Sequence, residues 1–215
     1  MKLPRKFYDR DTLKVAKELL GKVLVRKIGD KLMKGIIVET EAYIGPKDKA
    51  SHSYGGKKTK RNEVMYGPPG RAYVYQIYGM YYCLNVVTQK EEKPEAVLIR
   101  ALEPFEQINL MAKNRKIQIK TEMDKIRIAN GPGKLCKAMK IDKSLNGVDL
   151  LGNEIYIEFS RGKIKKELEK DFEICSSPRI GIDYAEEYKD VPWRFYIKGS
   201  KYVSRANKNK HFGLK

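Results

Sequence analysis

Apolar positions in residues 11–20, DTLKVAKELL, recur at helical spacing, with Leu13, Ala16 and Leu20 on one side, Asp9 or Asp11 available as N-cap and Gly21 beyond the end. The spacing predicts a short amphipathic helix. The period then shortens to two: KVLVRKI and KLMKGIIVETEAYI, separated by Gly29 and Asp30, read as the strands of a hairpin. Strand patterning resumes at RAYVYQIY and YYCLNVVT, joined at Gly79 and Met80, and again at AVLIRALE after the charged turn QKEEKPE. From Pro104 the pattern turns helical in PFEQINLMAKN, in TEMDKIRIAN, where Thr121 and Asp124 stand near capping-box spacing, and in PGKLCKAMK after Asn130 and Gly131. Short strands return at EIYIEF, RIGID and WRFYIKG, before a basic, polar tail from about residue 205. Strands and helices do not alternate strictly, so the expected fold is a single α+β domain with a largely antiparallel sheet flanked by helices, not a doubly wound sheet.

Between the second and third predicted strands, residues 45–71 show no sustained period and carry many Gly and Pro residues together with Lys57, Lys58, Lys60 and Arg61. A basic connection of that length inside a compact domain implies a function for it. Charge sharpens the point. With 45 Lys and Arg against 27 Asp and Glu, the formal charge is +18, an attractive field for a polyanion, nucleic acid first among them, although lysine-rich surfaces also serve solubility alone. No signal-peptide-like start and no apolar run of bilayer-spanning length is present, which predicts an intracellular protein without a membrane partner: cytoplasm or nucleoid in a prokaryote, nucleus in a eukaryote. Cys83, Cys136 and Cys175 are scattered without CxxC spacing, and only His52 and His211 could join them, so neither a disulfide framework, a zinc site nor any cofactor is expected. Nothing in the sequence calls for obligate assembly, and a monomer is expected.

In GIIVETEAYI, alternation puts Ile36, Val38, Thr40, Ala42 and Ile44 on one face, read as core, and Ile37, Glu39, Glu41 and Tyr43 on the other. Two carboxylates and a tyrosine at the end of a strand, where the basic loop begins, suit a general base beside an aromatic wall; taken alone, the pair reads first as a solvated strand edge. Arg100, inside the strand AVLIRALE, would be costly to bury unpaired, and Glu39 or Glu41 is its natural partner, in a structural or a catalytic role. RAYVYQIYGMYYCLN puts Tyr73 and Tyr75 on one face, Tyr78 near the tip of a tight hairpin, and Met80, Tyr81 and Tyr82 after it. Aromatic residues on a sheet are usually core; between basic segments, a protruding one has the form of a wedge that unstacks bases, and aromatic faces bind a base already removed from the stack. His52, in KASHSYGG, reads by itself as a surface histidine.

The run VETEAYIGPKDKASHSYGGKKTKRNEVMYGPPGRAYVYQIYGMYYCLN, followed by VLIRALEP, resembles the alkyladenine (3-methyladenine) DNA glycosylase family. LGKVLVRK upstream and NGPGKLCKAMKID, PRIGI and RFYIKGSKYVS downstream extend the likeness over most of the chain in the same order. The resemblance implies a curved antiparallel sheet, similar to the C-terminal domain of methionyl-tRNA formyltransferase, with an intercalating hairpin projecting from it. By motif position it implies Glu41 as the general base that activates water and Arg100 as its positioning partner. Tyr43, His52 and Tyr75 would wall the base pocket, and Asn85 would disfavour the exocyclic amino group of normal guanine. Tyr78 would fill the gap left by the flipped nucleotide, and Lys57 and Met80 would lie against the DNA backbone. The implied activity is release of a damaged purine (3-alkyladenine, 7-alkylguanine or hypoxanthine) from duplex DNA, without strand cleavage. Two rivals are weaker: a non-enzymatic nucleic-acid module gains nothing from an acid at its centre, and Glu39 with Glu41 is too sparse a set for a metal-dependent nuclease.

Overall fold

A computed structural model describes residues 1–160 and 172–204; the basic tail, with His211, lies outside the described residues. One turn of helix, α1 (Arg5–Tyr8), precedes α2 (Thr12–Glu18), whose N-cap is Asp11: its side chain accepts from Lys14 N at 2.9 Å. The hairpin β1 (Val23–Ile28) and β2 (Lys31–Tyr43) turns at Gly29, where φ is +56° and glycine is the residue that adopts it freely. The basic connection follows, broken only by short 3-10 turns at Gly45–Lys47, Tyr54–Gly56 and Glu63–Tyr66. Then come β3 (Ala72–Ile77), β4 (Tyr81–Thr88) and β5 (Glu95–Glu106), helices α3 (Ile108–Asn114), α4 (Glu122–Ile126) and α5 (Pro132–Ala138), and strands β6 (Ile155–Glu158), β7 (Ile174–Ser177) and β8 (Arg194–Ile197). Thr121 and Asp124 form the expected capping box on α4.

The strands form one curled, wholly antiparallel sheet in the order β3-β4-β5-β2-β1-β6. β2 is long enough to change partners along one edge: its first half pairs with β1, while Glu39–Glu41 pair with β8, which in turn holds β7. The two faces of the sheet are covered differently. On one, α2, α3 and α5 close the main core over residues such as Leu24, Val38, Leu84, Val86 and Ile99, and Thr40 Oγ1 donates to Ala16 O of α2 at 2.8 Å. On the other, the covering is made of loops: Met65 and Tyr66 pack with Tyr73, Val87 and Ala96, and Ala50 packs with Ile182 and Ala185.

Two expectations are corrected here. Helical character does not begin at Pro104, because β5 runs through it to Glu106, with Pro104 opposite Gly35 beside a register shift where its missing N–H is tolerated; the chain leaves the strand at Gln107, which has φ +57°. Nor is RIGID a strand. The strand lies just before it at β7, Pro178 follows its last residue, and Arg179 to Asp183 cross the loop-covered face of the sheet with Gly181 at φ +79°. Among the described residues, no helix is long and apolar enough to cross a membrane.

Candidate active site

Register assembles the site. Tyr73 on β3 is paired with Asn85 on β4, Asn85 with Leu98 on β5, Leu98 with Glu41 on β2, and Glu41 with Arg194 on β8. Directly paired residues of antiparallel strands share a face, so these five side chains form one row across five strands, on the face that the loops cover. Between that row and the loops lies a cavity of about 580 Å³, within the range of small-molecule sites. Tyr43, His52, Tyr73, Tyr75, Tyr78, Asn85 and Arg100 all line it, as do Arg61 and Tyr184.

Arg100 reaches the cavity floor, and behind it, outside the lining, lies a desolvated charge cluster that includes Glu41. Glu39 and Glu41 are wholly buried, which overturns the solvated-edge reading of the pair. Arg100 is buried too, and it answers the choice between partners by taking both: Nη1 lies 3.2 Å from Glu41 Oε1 and Nε 3.3 Å from Glu39 Oε1. A bulge makes this possible. Glu39 is opposite Ala101 and Thr40 opposite Ile99, so Arg100 has no direct partner across the ladder and turns to the carboxylate face. Glu39 is further saturated by Arg194 Nε at 2.6 Å, by Ser204 N at 2.7 Å and by Ser204 Oγ at 2.8 Å. Glu41 is held more lightly. Oε1 accepts from the Ile180 amide at 2.8 Å and Oε2 from the Tyr43 hydroxyl at 2.9 Å, which leaves acceptor capacity on Oε2 for a further donor such as water.

The walls are largely aromatic, with the Arg61 guanidinium among them. His52, expected at the surface, is half-buried: Nδ1 is 2.7 Å from Tyr73 Oη and its ring sits edge-on to Tyr75 with centroids 4.5 Å apart. Burial, and secondarily the Arg61 guanidinium, lower its pKa from the ordinary 6.5 to about 4, so the imidazole is neutral at physiological pH. Burial likewise pushes Tyr43 and Tyr75 well above the ordinary tyrosine value, and both remain phenols. The Cys83 thiol at the cavity wall is driven up to about 11, chiefly by burial, so it is protonated and a poor nucleophile. Asn85 is buried, and its Nδ2 donates to Tyr73 O at 3.1 Å.

Above the cavity the β3–β4 hairpin ends in a tight turn closed by Met80 N donating to Ile77 O at 3.2 Å, with Tyr78 and Gly79 at φ +49° and +68°. The turn thus centres on Tyr78–Gly79, one residue earlier than the sequence suggested. Tyr78 is 85% exposed and Met80 68% exposed. Lys57 is exposed in the basic loop and does not line the cavity.

Several participants escaped sequence reasoning. Arg61, whose guanidinium lies 5.3 Å from the Tyr75 ring centre, was one basic residue among many in its loop. Arg179 and Ile180 belong to the segment misread as a strand, Tyr184 follows directly after it, and Asp48 lacked any distinguishing pattern. The signals were the family-like runs they fall in, PRIGI for Arg179 and Ile180 and the long VETEAY run for Asp48 and Arg61.

These features define a class: a cavity for a flat aromatic group, a desolvated carboxylate–arginine pair at its floor, and a basic surround suited to a polyanion. The family model for methylpurine-DNA glycosylase matches residues 6–201. A Desulfitobacterium hafniense (strain Y51) protein provisionally named 3-methyladenine DNA glycosylase is 55% identical over 206 residues, covering 94% of this chain and 98% of its own. Counterparts with the same provisional name in Clostridium acetobutylicum (53% over 212 residues; 97% of this chain, all of the relative) and Clostridium novyi (55% over 207; 95% and 98%) agree. The chain belongs to the methylpurine-DNA glycosylase family, hydrolases of DNA repair.

Proposed function

We propose that this protein captures a damaged purine, rotated out of duplex DNA, in the aromatic cavity, and hydrolyses its N-glycosidic bond to leave an abasic site. The observation that carries the reading is Glu41: a fully buried carboxylate with a buried arginine partner, beneath a cavity of aromatic side chains. Cleaving the bond builds positive charge on the deoxyribose, and a carboxylate in a desolvated site both stabilises that charge and takes the proton of an attacking water. Arg100 fixes the Glu41 carboxylate and offsets its charge at the floor. Tyr78, at the exposed hairpin tip, takes the place of the departed nucleotide, with Met80 beside it and Lys57 toward the phosphates.

Purines alkylated at N3 or N7 are cationic, and an electron-rich cage including Tyr43 and Tyr75 favours them by about 1–2 kcal/mol when desolvated. A neutral His52 adds no repulsion to such a base. On this reading 3-alkyladenine and 7-alkylguanine are the natural substrates, hypoxanthine needs a proton as it leaves, and Asn85 disfavours the amino group of normal guanine. No lysine lines the cavity among the described residues, which supports water as the nucleophile and base release without strand cleavage.

The test is release of free base from duplexes carrying a single alkylated or deaminated purine, comparing wild type with Glu41→Gln. Release by wild type, a loss of at least about a thousandfold in Glu41→Gln, and unchanged lesion binding are expected. Full turnover by the variant would sink the reading, and binding without release from any lesion would make the chain a binding module.

A further inference from the structure

We propose that Arg179, paired with Asp48, is a positioning residue for the reaction: it holds Tyr43 and the Ile180 amide in register against the Glu41 carboxylate. The proposal rests on the role given to Glu41 above.

Both side chains are fully buried. Arg179 Nη1 donates to Asp48 Oδ2 at 2.6 Å and Nη2 to Oδ1 at 2.8 Å, the two-pronged arrangement that fixes a guanidinium in orientation as well as in place. The pair ties three separate segments. Nη1 also donates to Ala42 O at 2.9 Å, the peptide between Glu41 and Tyr43. Asp48 Oδ2 accepts from Ile44 N at 3.1 Å and Oδ1 from Ala50 N at 3.0 Å, which sets the loop leading to His52. The guanidinium carbon lies 4.7 Å from the centre of the Tyr43 ring and 5.1 Å from that of Trp193.

The next residue along the chain is Ile180, whose N–H is the backbone donor to Glu41 Oε1. Two of the three donors to Glu41, the Tyr43 hydroxyl and the Ile180 amide, are therefore placed by one guanidinium that does not itself hydrogen-bond the carboxylate. The third, Arg100, comes independently from β5. A lysine at position 179 would keep the charge and lose both the fork and the stacking plane.

A pair that only stabilised the fold would change the melting temperature and leave the chemistry of folded molecules alone. A positioning pair changes the pH dependence. The groups facing Glu41 are Arg100 from β5, Tyr43 and Glu39 from its own strand, Tyr75 from β3, Cys83 from β4, Arg194 from β8, and Arg179, the Ile180 amide and Tyr184 from the segment after β7. If the amide loses register, the anionic carboxylate loses a donor, and the acid limb of the rate profile moves to higher pH.

The experiment measures single-turnover base release against pH for wild type, Arg179→Lys, the charge-neutral double variant Arg179→Gln/Asp48→Asn, and Glu41→Gln, each checked for folding by near-ultraviolet circular dichroism. The double variant keeps the test available if the lysine destabilises the fold. Expected are unchanged lesion binding, roughly tenfold slower release and an acid limb displaced upward by about one unit. Folded variants with a wild-type rate and limb would overturn the proposal, as would slower release that only tracks lost lesion binding. Undiminished release by Glu41→Gln would instead strike the parent reading.

Discussion

The floor of the cavity and the tip of the β3–β4 hairpin are built from neighbouring strands of one sheet, yet they obey opposite rules. At the floor, Glu39, Glu41, Arg100 and Arg194 are withdrawn from water and each has a charged partner. At the tip, Tyr78 and Met80 stand in solvent, and Tyr78 holds a left-handed backbone conformation that side chains with a Cβ rarely adopt. The difference teaches what each proposed job requires. Charge stabilisation in a reaction needs groups that are desolvated and fixed beforehand, which the sheet interior can supply; insertion into a stack of bases would need an apolar surface left uncovered, which a strained turn can supply.

Three perturbations sharpen the contrast. Arg100→Leu has the largest expected effect: it leaves buried carboxylates short of a partner and costs about 3–5 kcal/mol in denaturant unfolding. A loss under 1 kcal/mol would mean that the floor is wetter than its burial indicates. His52 comes next, at the wall between the two regions. Its folded pKa of about 4 lies below the ordinary 6.5, so between those values the unfolded chain binds the extra proton, and stability present above pH 6.5 is lost as pH falls toward 4. That contribution, about 3 kcal/mol, should vanish from the pH dependence of unfolding in His52→Gln. The smallest effect on stability belongs to the tip. Tyr78→Asn, which suits a positive φ, should leave unfolding unchanged or raise stability by about 1 kcal/mol while weakening capture of the flipped base. If lesion affinity and excision held at the wild-type level, the wedge role would be refuted.

How far the sequence disclosed this molecule follows the range of the interactions involved. Period-two patterning located β1 to β5, and the Thr121–Asp124 box and Asp11 marked helix starts, because those signals are local. Alternation also put Glu39, Glu41 and Tyr43 on one face correctly. Arg100 was recognisable as a buried cation in need of an acid, but its double partnership depends on a bulge that no alternation rule reveals. The segment Arg179–Asp183 was misread as a strand because its apolar residues alternate; what keeps it out of the sheet is Pro178, Gly181 and a salt bridge to Asp48, 131 residues away. Family likeness supplied residue roles that periodicity could not.

The Glu39 carboxylate is completed by Ser204, across 165 residues of chain. During synthesis, β1 to β5 leave the ribosome long before that partner exists, and the strand carrying Glu39 and Glu41 cannot acquire its β8 neighbour until Arg194–Ile197 have emerged. Closure over such a separation is entropically slow, so the charged floor is among the last parts to form. A nascent chain can therefore carry most of the sheet and the whole β3–β4 hairpin while Glu39 still lacks Ser204 and Glu39 and Glu41 still lack their β8 neighbour.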